Sequence, residues 1–217
     1  MRVELFDVMG SDSPLNYFEF FSLPPKLAID TAALEKSFYA LSRKLHPDRF
    51  AGKSAEEQDA ALRESSLLND AYRTLKDPIA RTEYLLKLEG VELEEQSKAA
   101  TEAARTTGKA KQQIVPPDLL EEAFELNMQL EEMRAAKKMG EDDPQLRKDL
   151  LAAKAGFDTK MLSTQAELEG LWAKWDAGLD AGDEAAKAAA RDAMVALLNR
   201  RSYLRNLVRD VNEALED

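Results

Sequence analysis

At 217 residues the chain is long for one small domain and short for two large ones. A hydrophobic content of 44% excludes wholesale disorder, and few glycines and prolines amid abundant Ala, Glu, Leu and Lys favour long helices over many short strands. A net charge of −11 disfavours nucleic acid or anionic lipid as the main partner, and the lack of cysteine excludes disulfides and thiolate metal sites, in keeping with a reducing cytoplasm.

Residues 1–13 show no helical period and read as a flexible N-terminal tail. Met1 to Gly10 carries Glu4 and Asp7 and has no continuous apolar core, so no signal peptide is expected there. No run of about 18 apolar residues follows, so no membrane-spanning helix is expected. A short helix is predicted over about 15–22, ended by Leu23-Pro24-Pro25, because proline disfavours helix at the residue before it. The next helix begins at an N-cap supplied by Asp30 or Thr31. Its Leu34, Phe38, Leu41 and Leu45 recur at helical spacing and fall within roughly 60° of one another, one narrow core stripe. Lys36 and Arg43 sit on the opposite side and Lys44 on a flank.

His46-Pro47-Asp48 interrupts that helix. A third helix is predicted over about 54–76, with Ala61, Ser65, Leu68, Tyr72 and Leu75 on one face. Asp77-Pro78 marks a boundary, and Pro78 suits the first position of a fourth helix running through Tyr84, Leu85 and Leu88 to a stop at Gly90. Residues 91–116, small and polar over most of their length and leading into the Pro116-Pro117 pair, read as a linker with at most a helical turn inside.

Three long helical patterns fill 117–217. The first holds Leu119, Ala123, Leu126, Leu130 and Met133. The second holds Leu146, Leu150, Ala153, Phe157, Thr164, Leu168, Leu171 and Trp175. The third holds Ala193, Leu197, Leu204, Val208, Val211 and Leu215. Breaks at Met139-Gly140 and Ala181-Gly182-Asp183 divide them, and alternating steps of three and four residues predict an antiparallel three-helix bundle. The first of these helices carries a second stripe, Leu120, Phe124 and Met128, displaced by about 100–180° from Leu119. A three-helix bundle buries a wide arc, so part of this stripe is compatible with ordinary core. Any part left outside would be an exposed apolar patch rimmed by Glu121, Glu122 and Glu125. Tyr203 and Leu207 are also expected off the seam of the last helix.

The spacing Tyr17-Phe18, Leu34, Phe38, Leu41, His46-Pro47-Asp48-Arg49-Phe50, Asn69-Asp70-Ala71-Tyr72-Arg73-Thr74-Leu75 and Asp77-Pro78 resembles the J-domain over about 16–89. Arg49-Phe50, with Arg81 and Tyr84-Leu85-Leu86, resembles its iron–sulfur branch, the HscB co-chaperones. The layout agrees: no Gly/Phe-rich region, no zinc-binding cysteines and an acidic helical bundle behind. The tail and the linker are longer than that family's pattern, and Glu121 stands where it has an apolar residue.

The resemblance implies an all-α fold: a four-helix J-domain with an antiparallel helical finger over 14–90, the linker, and a three-helix bundle over 117–217 that binds the client. It implies a co-chaperone, not an enzyme. His46, Pro47, Asp48, Lys36, Arg43, Lys44 and Arg49 would meet a DnaK/HscA-class ATPase, with Lys53 adding to the steering charge. Leu120, Phe124, Glu125, Met128 and Tyr203 would hold an iron–sulfur scaffold protein. No metal, cofactor, nucleic acid or membrane is called for, and a monomer or weak dimer is expected. A His–Asp pair also occurs in acid–base catalysis, but the chain has one histidine and no nucleophile signature beside it. Two other readings are a generic J-domain protein with a different client and a structural coiled-coil protein that dimerises through the extra stripe.

Overall fold

The computed structural model describes residues 16–91, 93 and 115–216. The expected tail, and nearly all of the expected linker with its helical turn, lie outside the described residues. The chain divides into two compact units at Leu88/Glu89, and the described residues form helices with no strand, the all-α class expected.

In the first unit the helices are α1 (Tyr17–Phe20), α2 (Thr31–Leu45), α3 (Ala55–Lys76) and α4 (Pro78–Leu88). Each start has a chemical cause. Asn16 and Glu19 form a reciprocal capping box on α1, as Ser54 and Glu57 do on α3. Asp30 caps α2 by accepting the Ala32 and Ala33 N–H groups at 2.9 and 3.0 Å. Asp77 ends α3 in extended backbone, and its carboxylate accepts the Ala80 N–H at 2.7 Å, opening α4.

α2 and α3 pack antiparallel. At the middle of α2, Phe38 stacks on Tyr72 of α3 (centroids 4.1 Å, 15° between planes). The Tyr72 hydroxyl donates to Glu35 at 3.1 Å, and Lys76 Nζ donates to that hydroxyl at 2.9 Å. At the other end of the pair, Gln58 of α3 donates to the Lys53 carbonyl at 3.0 Å, inside the connecting loop. Tyr84 of α4 stacks on Tyr17 of α1 at 4.3 Å and accepts its N–H at 2.9 Å. Burial pushes the Tyr84 hydroxyl pKa upward, against the pull of that hydrogen bond. Phe18, Leu27, Leu34, Leu68, Leu75, Leu85 and Leu86 fill the interior. Arg81 is buried with them and donates to the Leu75 carbonyl at 2.7 Å, satisfying an acceptor in the last turn of α3.

The second unit holds α5 (Leu120–Met139), α6 (Pro144–Ala181) and α7 (Glu184–Glu216). Gly140 and Gly182 end α5 and α6 in left-handed backbone, φ 74° and 66°, where a Cβ would be strained. Asp143 and Asp183 accept the first free N–H groups of the next helix. The result is the antiparallel three-helix bundle expected. Arg200 binds Asp118 at 2.7 Å and Lys137 donates to the Ala214 carbonyl at 2.8 Å, fastening α7 along α5.

The shared core is Leu119, Ala123, Leu126, Leu130 and Met133 against Leu146, Leu150, Phe157, Tyr203, Leu204, Leu207 and Val211. α5 has 20 residues against 38 and 33 for its neighbours. Where it is missing, Trp172, Trp175, Met194 and Leu198 are buried in the α6–α7 hairpin. The seam expected on the last helix is corrected here: Tyr203 and Leu207 are core, while Ala193, Val208 and Leu215 are only half-buried. α7 faces two neighbours, so it buries a broad arc instead of a single line.

Two glycines of α6 make opposite predictions. A Cβ on Gly178 would lie 3.2 Å from the Lys187 backbone nitrogen and 3.1 Å from its Cγ, whereas one on Gly170 meets open space. Gly178→Ala is expected to lower unfolding free energy by about 1–3 kcal/mol through overpacking, and Gly170→Ala to raise it by about 0.5–1 kcal/mol through helix propensity. Denaturant melts of the two variants check the opposite signs.

Candidate functional site

Two surfaces gather the residues singled out in the sequence. The first is the tip of the α2–α3 finger. His46 ends α2: its ψ of 127° leaves the helix, as expected of a residue before proline. Pro47 opens a short 3-10 turn, Pro47–Phe50, closed by the Arg49 N–H donating to the His46 carbonyl at 3.0 Å. His46 Nδ1 accepts the Asp48 N–H at 3.3 Å, and Asp48 Oδ2 lies 3.4 Å from the same nitrogen. The two side chains are 56% and 88% exposed, so neither serves the core.

Residues on both helices brace this loop. Arg49 donates to the Arg43 carbonyl at 3.2 Å, tying the loop back to the last turn of α2. Gln58 reaches the Ala51 and Lys53 carbonyls from the first turn of α3. The capping box beneath it lowers the Glu57 carboxyl pKa, mainly through the Ser54 N–H and then the Ser54 hydroxyl. Lys36, Arg43, Lys44, Arg49 and Lys53 are exposed, and Pro47 is half-buried. Arg43, His46, Asp48 and Arg49 form one hydrogen-bonded cluster with Pro47 between them, while Lys36 lies two turns further along α2. The sequence reading missed Gln58, whose signal is a long amide side chain in the turn that abuts the loop. It also missed Tyr39, exposed between Lys36 and Arg43.

The second surface is the outer face of α5. Phe124 is 70% exposed, and Leu120 and Met128 are more than half exposed, with Glu121 and Glu125 exposed beside them. Glu122 turns instead to a salt bridge with Lys160 of α6. The alternative left open in the sequence is thereby resolved: Leu120, Phe124 and Met128 stand outside the core. Tyr203 does not join them. It is 8% exposed within the core cluster, and burial pushes its hydroxyl pKa upward, with a smaller contribution from Asp210. Its expected place off the seam is corrected, because α7 packs against two helices and the arc it buries includes Tyr203.

Among the described residues no group of His, Cys, Asp or Glu could hold a metal ion, and no helix is long and apolar enough to cross a membrane. Residues 16–84 match the DnaJ domain family. Two proteins of Vibrio cholerae serotype O1, each named Co-chaperone protein HscB homolog, are 36% identical to this chain over 172 residues, 76% of this chain and 86% of theirs. The structure of Chaperone HscB from Vibrio cholerae covers 88% of this chain and 96% of its own, at 28% identity and a TM-score of 0.48. The crystal structure of human co-chaperone protein HscB covers 94% of this chain and 83% of its own, at 23% identity and a TM-score of 0.58.

The two faces of α5 and the burial of Tyr203 separate three substitutions by their effect on folding. Leu130→Ala is expected to cost about 2–5 kcal/mol and Tyr203→Ala about 3–5 kcal/mol, while Phe124→Ala stays within about 0.5 kcal/mol of the unsubstituted protein. Equilibrium urea unfolding of all three decides it. An early midpoint for Phe124→Ala would place the outer stripe in the core.

Proposed function

The chain belongs to the HscB family of J-domain co-chaperones, and on that premise we propose that its finger stimulates the ATPase of a DnaK/HscA-class chaperone while its bundle presents a bound iron–sulfur scaffold protein. In this reading the J-domain spans 14–90, the linker 91–116 and the client-binding bundle 117–217, and the protein acts in the cytoplasm.

The observation that carries the proposal is the finger tip. His46 and Asp48 are exposed side chains on a backbone held by the fixed dihedral of Pro47, a 3-10 turn and braces from Arg49 and Gln58. A loop ordered this firmly, with its polar groups turned outward, is preorganised for a partner and loses little conformational freedom on binding. Lys36, Arg43, Lys44 and Arg49 make the approach to it basic although the whole chain is acidic. They steer the finger toward an acidic docking surface, which raises the association rate more than the affinity. His46 and Asp48 then engage the ATPase at the junction that governs hydrolysis, and the bond broken is the β–γ phosphoanhydride of the ATP that the chaperone holds.

For the client, Leu120, Phe124 and Met128 supply apolar area, with Glu125 on the rim fixing orientation. Contiguous apolar residues held outside a well-packed core mark partner sites, and aromatic anchors dominate their energetics. The cluster is cargo of the scaffold and needs no ligand from this chain. Tyr203 supports this face from beneath, as core.

His46→Gln is expected to abolish stimulation of chaperone ATP hydrolysis, with helicity and scaffold binding unchanged. Single-turnover ATPase measurements with an HscA-class chaperone, paired with thermal melts, check it. Stimulation equal to that of the unsubstituted protein would remove the finger tip from the mechanism. Phe124→Ala is expected to weaken scaffold binding by about 2 kcal/mol or more in a titration, with ATPase stimulation in the absence of scaffold unchanged.

A further inference from the structure

The face of α2 that carries the docking cations also carries an aromatic ring. Tyr39 is 56% exposed, three residues after Lys36 and four before Arg43, so the three share one side of the helix. A lone exposed apolar residue needs no explanation in general. Tyr39 differs in how its surroundings are built. Its ring meets Phe38 edge-on, with centroids 5.4 Å apart and 61° between planes, and Phe38 is itself stacked on Tyr72. The exposed ring is therefore braced against the Phe38–Tyr72 stack that joins α2 to α3. The Arg43 Nε donates to the Tyr39 carbonyl at 3.2 Å, which draws that side chain back along the helix toward the same turn.

We propose that Tyr39 is an apolar anchor at the centre of the docking face, fitting a hollow on the chaperone that is apolar within and rimmed by carboxylates. The inference rests on the docking reading above and adds to it the short-range component. Exposed cations act at a distance and are screened within about 8–10 Å at physiological salt. A face made of charge alone would lose most of its hold as salt rises. A braced aromatic ring, buried on contact, contributes through area removed from water, and that contribution does not fall with ionic strength. Tyrosine also suits the rim of such a hollow, with an apolar body and a polar tip.

The test uses the full chain and a purified HscA-class chaperone, reading the concentration for half-maximal ATPase stimulation at about 50 and about 500 mM salt, screening lengths of about 14 and about 4 Å. Tyr39→Ala is expected to raise that concentration about tenfold, about 1.4 kcal/mol, at both salts. Tyr39→Phe is expected to stay within about twofold, and Arg43→Ala to show its loss mainly at low salt. Tyr39→Ala equal to the unsubstituted protein, with Arg43→Ala impaired, overturns the anchor and leaves the basic docking face standing. Neither variant impaired overturns both. A Tyr39→Ala loss confined to low salt, or matched by an earlier thermal midpoint, assigns the ring to electrostatics or to folding and overturns the anchor as well.

Discussion

The stacking of Phe38 on Tyr72 is the contact on which the first unit's function depends. It joins the middle of α2 to α3 in the two-helix finger, on whose α3 side α1 and α4 also pack. Phe38 and Leu41 are only half-buried, so apolar area alone holds this pair less firmly than a bundle core would. The Tyr72 hydroxyl adds direction: it donates to Glu35 while receiving Lys76, and this pairing raises the Lys76 pKa, chiefly through the Tyr72 contact and then Glu35. Register between the helices follows from these bonds. Sliding α2 by one residue would rotate the face shared by Lys36 and Arg43 relative to α3 and move His46 away from the turn that Gln58 braces.

A chain with net charge −11 nonetheless needs two electrostatically opposed surfaces, and it achieves this by segregation. Cations concentrate on α2 and the loop, in the first unit. Carboxylates rim the apolar stripe of α5, in the second. Surrounding an exposed stripe with like charges discourages the association of one copy with another while leaving a partner of opposite rim charge able to dock. The same arrangement keeps the two jobs on separate units, the finger tip in the first and the apolar stripe of α5 in the second.

Much of this was legible in the sequence because it is local. Asp30, Ser54 and Asp143 announce helix starts by chemistry that acts within three residues, and Gly140 and Gly182 announce stops in the same way. The His46-Pro47-Asp48 break between two amphipathic helices needs no tertiary information either. The α5 stripe was half legible: periodicity separated Leu120, Phe124 and Met128 from the seam but could not say whether the bundle's arc reached them. α7 was misread for a nonlocal reason. A helix with one neighbour buries a line that periodicity reveals. A helix with two neighbours buries an arc whose edges depend on where those neighbours sit, and Tyr203 and Leu207 lie within the core that the three helices share.

The shortness of α5 gives the client face its meaning. α5 spans 20 residues beside helices of 38 and 33, and it reaches the shared core through Ala123, Leu126, Leu130 and Met133, with Leu119 just before its first residue. Those five positions face the core, while Leu120, Phe124 and Met128 on the outer face are exposed. An apolar outer stripe on such a helix is a cost in solution, because it orders water without adding to the core. Phe124 is therefore not explained by folding. On the proposed reading, Phe124 is carried by a helix whose inner face is buried in the core, so it is preorganised, and a scaffold protein that covered it would gain the area without having to order the surface first. Burial on one face of α5 and exposure on the other thus belong to one device, in which the core supplies the rigidity that makes the exposed stripe useful.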